Sequence, residues 1–177
     1  DIITATAGTS NLRLGVNAGD AIASGGNYNV VVGDEAGTAI TTGDENTLIG
    51  YTAGDAIITG QYNVAVGKAA LGATTASGNT GVGTNALQNN TTGDSNVAIG
   101  FAAMQTNVDG DRSVAVGYNA LFTQEPASNV DMYNTAIGYS AGYATTTATH
   151  NTLIGGLAGD ALTTGASNVA VGYGALT

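Results

Sequence analysis

Cysteine is absent from the 177 residues, and proline occurs once, at Pro126. Without cysteine the chain has no disulfides and no thiolate metal sites. Positive charge is scarce: Arg13, Lys68 and Arg112 stand against thirteen acidic residues, for a net charge of −10. A chain so poor in cations carries no basic footprint, which argues against nucleic acid as a partner, and an anionic membrane surface would repel it. No apolar run approaches the roughly 18 residues of a spanning helix, so no membrane is expected in this segment. His150 is the only histidine and precedes a turn, which leaves no Ser-His-Asp arrangement. No HExxH, P-loop or strand-to-helix GxGxxG is present either, and the chain is expected not to be an enzyme.

Glycine, by contrast, is abundant at 28 residues, with charged residues at only 9%. The glycines are too widely spaced for collagen, and the charge is too low for a disordered acidic tail. They belong to a repeat. Its anchor is Asn, two residues, an aliphatic residue, then Gly, with glycines at 15, 33, 50, 67, 83, 100, 117, 138, 155 and 172. Successive differences are 18, 17, 17, 16, 17, 17, 21, 17 and 17. A fixed period near twenty without helical heptads is the signature of a solenoid. The expected fold is an all-β parallel β-solenoid of about ten coils. It forms one repetitive domain, residues 1–177, anchored at Asn11, Asn29, Asn46, Asn63, Asn79, Asn96, Ser113, Asn134, Asn151 and Asn168. Both chain ends fall inside a repeat, so a segment of a longer fibre is expected.

With the Asn numbered as coil position 1, position 2 is β-branched or Leu and position 4 is always aliphatic. The two share a face of a strand, and the expectation is that they fill the coil interior, with Ile99 a core residue. Position 3, mostly Ala, is then expected to face outward. Position 8 is Ala in every copy, as at Ala103, which implies a packed neighbour without spare volume. The small columns at 3 and 8 are expected to offer a flat surface for a neighbouring chain, sealed by the aromatic residues of position 6: Tyr51, Phe101, Tyr118, Tyr139 and Tyr173. Position 9 is Leu or Met in five copies and Gly in five. Where it is Gly, position 12 is usually Ile or Leu; where it is Leu or Met, position 12 is polar. Core volume is thus held constant by complementary swaps, with a bend expected between the two positions. The position 5 glycines, such as Gly50 and Gly100, are expected at corners needing positive φ. The Asn column, Asn46 and Asn96 among it, is expected to form a structural ladder from coil to coil.

Three further features are candidates for function. Asp94 and Asp111 occupy the same turn position in consecutive coils, with Asp109 nearby; like charges one rung apart call for compensation, and a bound Ca²⁺ or Arg112 is the candidate. The 21-residue spacing between Ser113 and Asn134 marks a loop leaving the coil, whose residues Gln124, Glu125, Pro126 and Asn129 form a candidate binding protrusion. Thr pairs at 41–42, 91–92, 146–147 and 163–164 give an interrupted array, the basis of an ice-binding alternative.

The stretches Asn96-Val97-Ala98-Ile99-Gly100 and Ser113-Val114-Ala115-Val116-Gly117 resemble the Asn-Ser-Val-Ala-Ile-Gly core of trimeric autotransporter adhesin heads. The longer form, with Tyr-Asn-Ala-Leu at 118–121 and Thr-Thr-Gly before the next Asn, is similar to repeats of phage tail fibres. The resemblance implies a left-handed β-roll, a homotrimer, extracellular localisation on a cell surface or virion, and attachment to a host-surface receptor or glycan. The residues alone support self-association too. Each coil holds few large apolar groups against the backbone entropy of seventeen residues, so side-by-side packing, and end-to-end stacking into a filament, are expected. A filament-forming matrix protein without a receptor is the alternative.

Overall fold

The computed structural model describes residues 7–177; the first six residues of the expected domain lie outside the described residues. The chain is a parallel β-solenoid with no helix among the described residues. Each repeat contributes one three-residue strand, formed where β-branched and aliphatic residues stand between the Asn and the corner Gly. In chain order these are β1 (Leu12–Leu14), β2 (Val30–Val32), β3 (Thr47–Ile49), β4 (Val64–Val66), β5 (Thr80–Val82) and β6 (Val97–Ile99), then β8 (Val114–Val116), β10 (Thr135–Ile137), β11 (Thr152–Ile154) and β12 (Val169–Val171). The two-residue strands β7 (Gly110–Asp111) and β9 (Val130–Asp131) make a separate parallel pair.

The ten longer strands stack in one sheet in sequence order. Ten strands enclose nine turns, so the chain makes about nine coils where the anchors suggested ten. Each position pairs with the same position of the next coil, as in Val97↔Val114, Ala98↔Ala115 and Ile99↔Val116. The register survives both the short spacing, Val64↔Thr80, and the long one, Val114↔Thr135. Length variation is therefore absorbed outside the strands. Rungs are tied on both sides: Val97 N–H donates to Ser113 O at 2.9 Å, and Gly100 N–H donates to Val82 O at 2.8 Å.

The strand faces are the reverse of the expectation. Position 3 lies inside the coil, with Val31, Leu48, Ala98, Ala115 and Leu153 fully buried. Positions 2 and 4 face out, and Ile99 is 40% exposed. The reason is space. The Gly corners close each coil into a narrow section, and the invariant Ala of position 8, with Ala103 fully buried, occupies that interior as well. A second row of β-branched side chains does not fit inside, so the larger face of the strand turns outward.

The core volume is shared among three positions rather than two. Where position 9 is Gly, positions 3 and 12 are both large except in the coil of Ala136, Gly142 and Thr145: a Cβ on Gly54 would lie 2.7 Å from Leu48 Cδ2 and 2.9 Å from Ile57 Cδ1. Where position 9 is Leu or Met, position 3 is Ala or Gly; a Cβ on Gly81 would lie 3.2 Å from Leu71 Cγ. Leu71, Leu87, Met104 and Leu121 are all fully buried. The bend between positions 9 and 12 is a single hydrogen-bonded turn, as in Asn107 N–H to Met104 O at 3.2 Å.

Candidate functional site

The asparagines hold the coils in register. Asn46 Oδ1 accepts the backbone N–H of Asn63 at 3.0 Å and its Nδ2 at 3.1 Å, while Asn46 Nδ2 donates to Gly60 O at 2.9 Å, across its own coil. Asn96 does the same across the coil to Gly110 O at 2.7 Å, and its Oδ1 accepts the N–H of Ser113 at 2.9 Å. Both side chains are buried. The ladder therefore saturates polar groups that burial would otherwise penalise.

The position 5 glycines form a second column. Gly50 and Gly100 have φ of +137° and +134°, and a Cβ on Gly100 would sit 2.5 Å from the carbonyl oxygen of Gly117. Glycine is required twice over here, by the backbone angle and by the approach of the next rung.

These two columns flank the outer face of the sheet. Nine inter-strand steps of about 4.8 Å make it about 43 Å long. Ile49, Ile99, Ile137 and Ile154 project from it, with the half-buried valines and threonines of position 2 beside them. Past the Gly corner runs the position 6 column, where Phe101 stacks on Tyr118 at 5.2 Å and Tyr118 on Tyr139 at 5.5 Å between ring centroids. All three rings are exposed, as are Tyr51 and Tyr173. The flat contact surface expected of positions 3 and 8 is thus absent, since those positions are interior. The outward aliphatic face takes its place, and the aromatic column borders it.

The acidic candidates do not converge. Asp94 Oδ1 accepts the N–H of Ser77 at 2.8 Å, and Asp111 Oδ1 accepts the N–H of Asp94 at 2.7 Å. Asp44 does the same for Asn27 at 2.6 Å. Asp109 accepts instead from the Thr92 hydroxyl. Each carboxylate is a rung-to-rung cap, and the amide it receives offsets the repulsion that suggested a cation. Among the described residues no group of three His, Asp or Glu side chains is placed to hold a metal. Arg112 pairs with Asp131, not with Asp94 or Asp111. The signal for these caps was legible: a polar residue two places before the Asn recurs at Asn27, Asp44, Ser77, Asp94 and Asp111.

The long repeat does not project as a separate arm at its start. Gln124 is fully buried, and Pro126 is buried as well. Gln124 Oε1 accepts from Asn134 Nδ2 at 2.9 Å, and Gln124 Nε2 donates to Asn107 Oδ1 at 3.1 Å. It ends an inner polar ladder, in which Asn107 donates to Asn90 at 2.9 Å and Asn90 to Thr74 at 3.1 Å. That ladder went unread because a polar residue at position 12 looks like a surface residue. Glu125 Oε2 accepts the N–H of Val108 at 2.7 Å, and partial burial, with Asp109 nearby, holds its carboxyl above the ordinary value. Only the 127–130 tip is exposed. There Asn129 Nδ2 donates to Thr92 O at 3.2 Å, and β9 follows on β7, so the segment returns to the rod.

No protein-family model, curated protein or solved structure matches the chain. The repeat geometry must therefore carry the functional argument.

One more surface feature interrupts the columns. At position 10, Gly72 stands between Asp55 and Gln88 of the neighbouring coils, and the missing side chain leaves a cavity of about 270 Å³. Burial raises the Asp55 carboxyl above its ordinary value; the backbone amides of Asp55 and Ala56 offset part of that, and Glu35 adds to it.

Proposed function

We propose that this chain is the structural repeat region of an extracellular, homotrimeric fibre, whose work is reach and surface attachment. The observation that carries the reading is the outer face of the ten-stranded sheet: aliphatic at every position 4, valine, leucine or threonine at position 2, and bordered over three rungs by stacked aromatic rings. Monomeric proteins rarely expose apolar patches beyond a few hundred Å². A face about 43 Å long and three residues, about 10 Å, wide has a footprint of about 430 Å² before the aromatic column is added. One further residue column widens it to about 580 Å². Three rods that turn these faces toward a common axis bury them and leave the remaining sides free for attachment. The similarity of the Asn-Val-Ala-Ile-Gly unit to adhesin heads and tail-fibre repeats supports the number three and the setting outside the cell or on a virion.

The threonine hydroxyls speak against the ice-binding alternative. Those of Thr41, Thr75, Thr91 and Thr146 donate to carbonyls of the next rung, so they are already engaged along the rod.

Light scattering at micromolar concentration tests the reading. The wild-type chain is expected at three times its 17.3 kDa mass, and the double variant Ile99→Asp, Ile137→Asp at the monomer mass with an unchanged β-type circular dichroism spectrum. A wild-type chain that stays monomeric and soluble would overturn the proposal.

A further inference from the structure

The notch at Gly72 has the chemistry of a carbohydrate subsite. Ala69, Gly72 and Ala73 line it together with the hydroxyl residue Thr52, the carboxylate residue Asp55 and the carboxamide residues Gln88 and Asn89. The cavity, about 270 Å³, lies just below the range of about 300–1,000 Å³ typical of small-molecule sites, the scale of one sugar ring. Two of these groups keep free capacity. Gln88 Oε1 accepts from Gln105 Nε2 at 2.7 Å, which fixes the amide and leaves the two N–H donors of its Nε2 without a partner among the described residues. Among the described residues no side chain donates to the Asp55 carboxylate, which is held by backbone amides of its own turn.

We propose that this notch binds one neutral sugar unit of a surface glycan, with Asp55 accepting from two adjacent hydroxyls, Gln88 and Asn89 donating to ring or hydroxyl oxygens, and the C–H face of the ring lying on Ala69, Gly72 and Ala73. A sugar is the ligand class whose two sides match a site lined by small residues together with a carboxylate and carboxamides. The net charge of −10 and the carboxylate itself disfavour acidic sugars. No group of three acids or histidines gathers among the described residues, which disfavours a divalent cation. The inference rests on the attachment reading above and supplies its ligand class.

The column itself provides the control. Position 10 is Gln in the next two coils, at Gln88 and Gln105. Gly72 has no positive φ, and a Cβ there would meet Ala69 O at 3.3 Å and Asp55 Oδ1 at 3.6 Å. Gly72→Gln therefore fills the notch with a side chain the fold already accepts. Asp55→Asn keeps the shape and removes the charge.

The test is saturation-transfer NMR and titration with the methyl glycosides of glucose, galactose, mannose and N-acetylglucosamine. Sialyllactose serves as the acidic probe, and the measurements are made with and without EDTA. At least one neutral glycoside is expected to bind in EDTA. Gly72→Gln and Asp55→Asn are each expected to weaken it at least tenfold, with thermal midpoints close to wild type. Hydroxyls donating to the ionised carboxylate favour its charged form, so affinity is expected to fall as pH drops through the raised Asp55 value. Wild-type affinity in Gly72→Gln, binding of sialyllactose alone, binding that requires a metal, or no binding of any neutral probe would each overturn the inference. Light scattering on the same samples separates the two proposals. A trimer that binds no sugar loses only this subsite, and a monomer whose sugar binding is lost in Gly72→Gln keeps the subsite without the fibre.

Discussion

At the residue scale, the coil is defined by positions that must accept left-handed backbone. Gly37, Gly54 and Gly142 do so at position 9 with φ of +52° to +62°, and Leu71, Leu87, Met104 and Leu121 do so at the same position with φ of +48° to +52°. For a leucine this conformation costs about 1–2 kcal/mol. It persists because the buried side chain returns about 1.5–3 kcal/mol and nothing else fills the space beside Ala65, Gly81, Ala98 or Ala115. Leu87→Ala is therefore expected to cost about 2–5 kcal/mol, measured by denaturant unfolding. Gly100→Val places a β-branched residue at φ +134° with its Cβ 2.5 Å from Gly117 O, and is expected to prevent cooperative folding, read as loss of the thermal transition. The raised carboxyls give a pH signature. Asp55 and Glu125 both titrate above their reference values of 3.8 and 4.5 in the folded chain. The folded state then binds more protons than the unfolded one between the reference and the raised values, so stability rises as pH falls through that window. Thermal melts on Asp55→Asn and Glu125→Gln are expected to show a shallower rise over that range than the wild type.

At the scale of the element, one strand and its corner carry two opposite jobs. The middle residue packs the coil and the flanking pair faces outward. This alters what an Ile-to-Ala substitution reports. In a dissociated chain Ile99→Ala is expected to cost about 1 kcal/mol or less, the value of a half-exposed side chain, whereas Leu48→Ala, at the inward middle position of β3, is expected at about 2–5 kcal/mol. Unfolding midpoints measured across protein concentration check this: the Ile99→Ala deficit should grow where the chain associates, and the Leu48→Ala deficit should not. The long repeat makes the same point. Ser113 is too short to bridge its coil as the asparagines do, and the buried Gln124 replaces the missing span by bonding Asn134 and Asn107. Gln124→Leu leaves Asn134 Nδ2 with one partner fewer and is expected to cost about 1–3 kcal/mol in the same melts.

At the scale of the molecule, the rod has sides of different chemistry. One is aliphatic and flat, one carries the rung-to-rung carboxylate caps, and one carries the notch at Gly72. With three cations against thirteen acids, the acidic caps are neutralised mainly by amides, not by ion pairs. The Arg112–Asp131 pair is half exposed and adds little. Side-by-side association through the aliphatic side, as proposed, would leave the polar sides outward.

The 17-residue Asn…Gly period by itself determined the parallel solenoid, the coil-to-coil register and the Asn ladder. Each is a column property: residues in the same place on successive rungs must meet, whatever the coil's shape. The Gly corners were legible for the same reason, since only glycine fits their positive φ, whereas the invariant Ala of position 8 showed a full space without showing that it lies inside the coil. What period and hydrophobicity left open was which side of each strand lies inside. Val97 and Ile99 are more apolar than Ala98, and strand alternation allows either face to be buried. Only the closed section of the coil decided it, because the interior has room for Ala98 with Met104 and none for a row of valines and isoleucines. The same enclosure made Asn90, Asn107 and Gln124 interior residues and turned Gly72 into a cavity. Those outcomes depend on distances across the coil, which residues three to eleven places apart along the chain do not reveal.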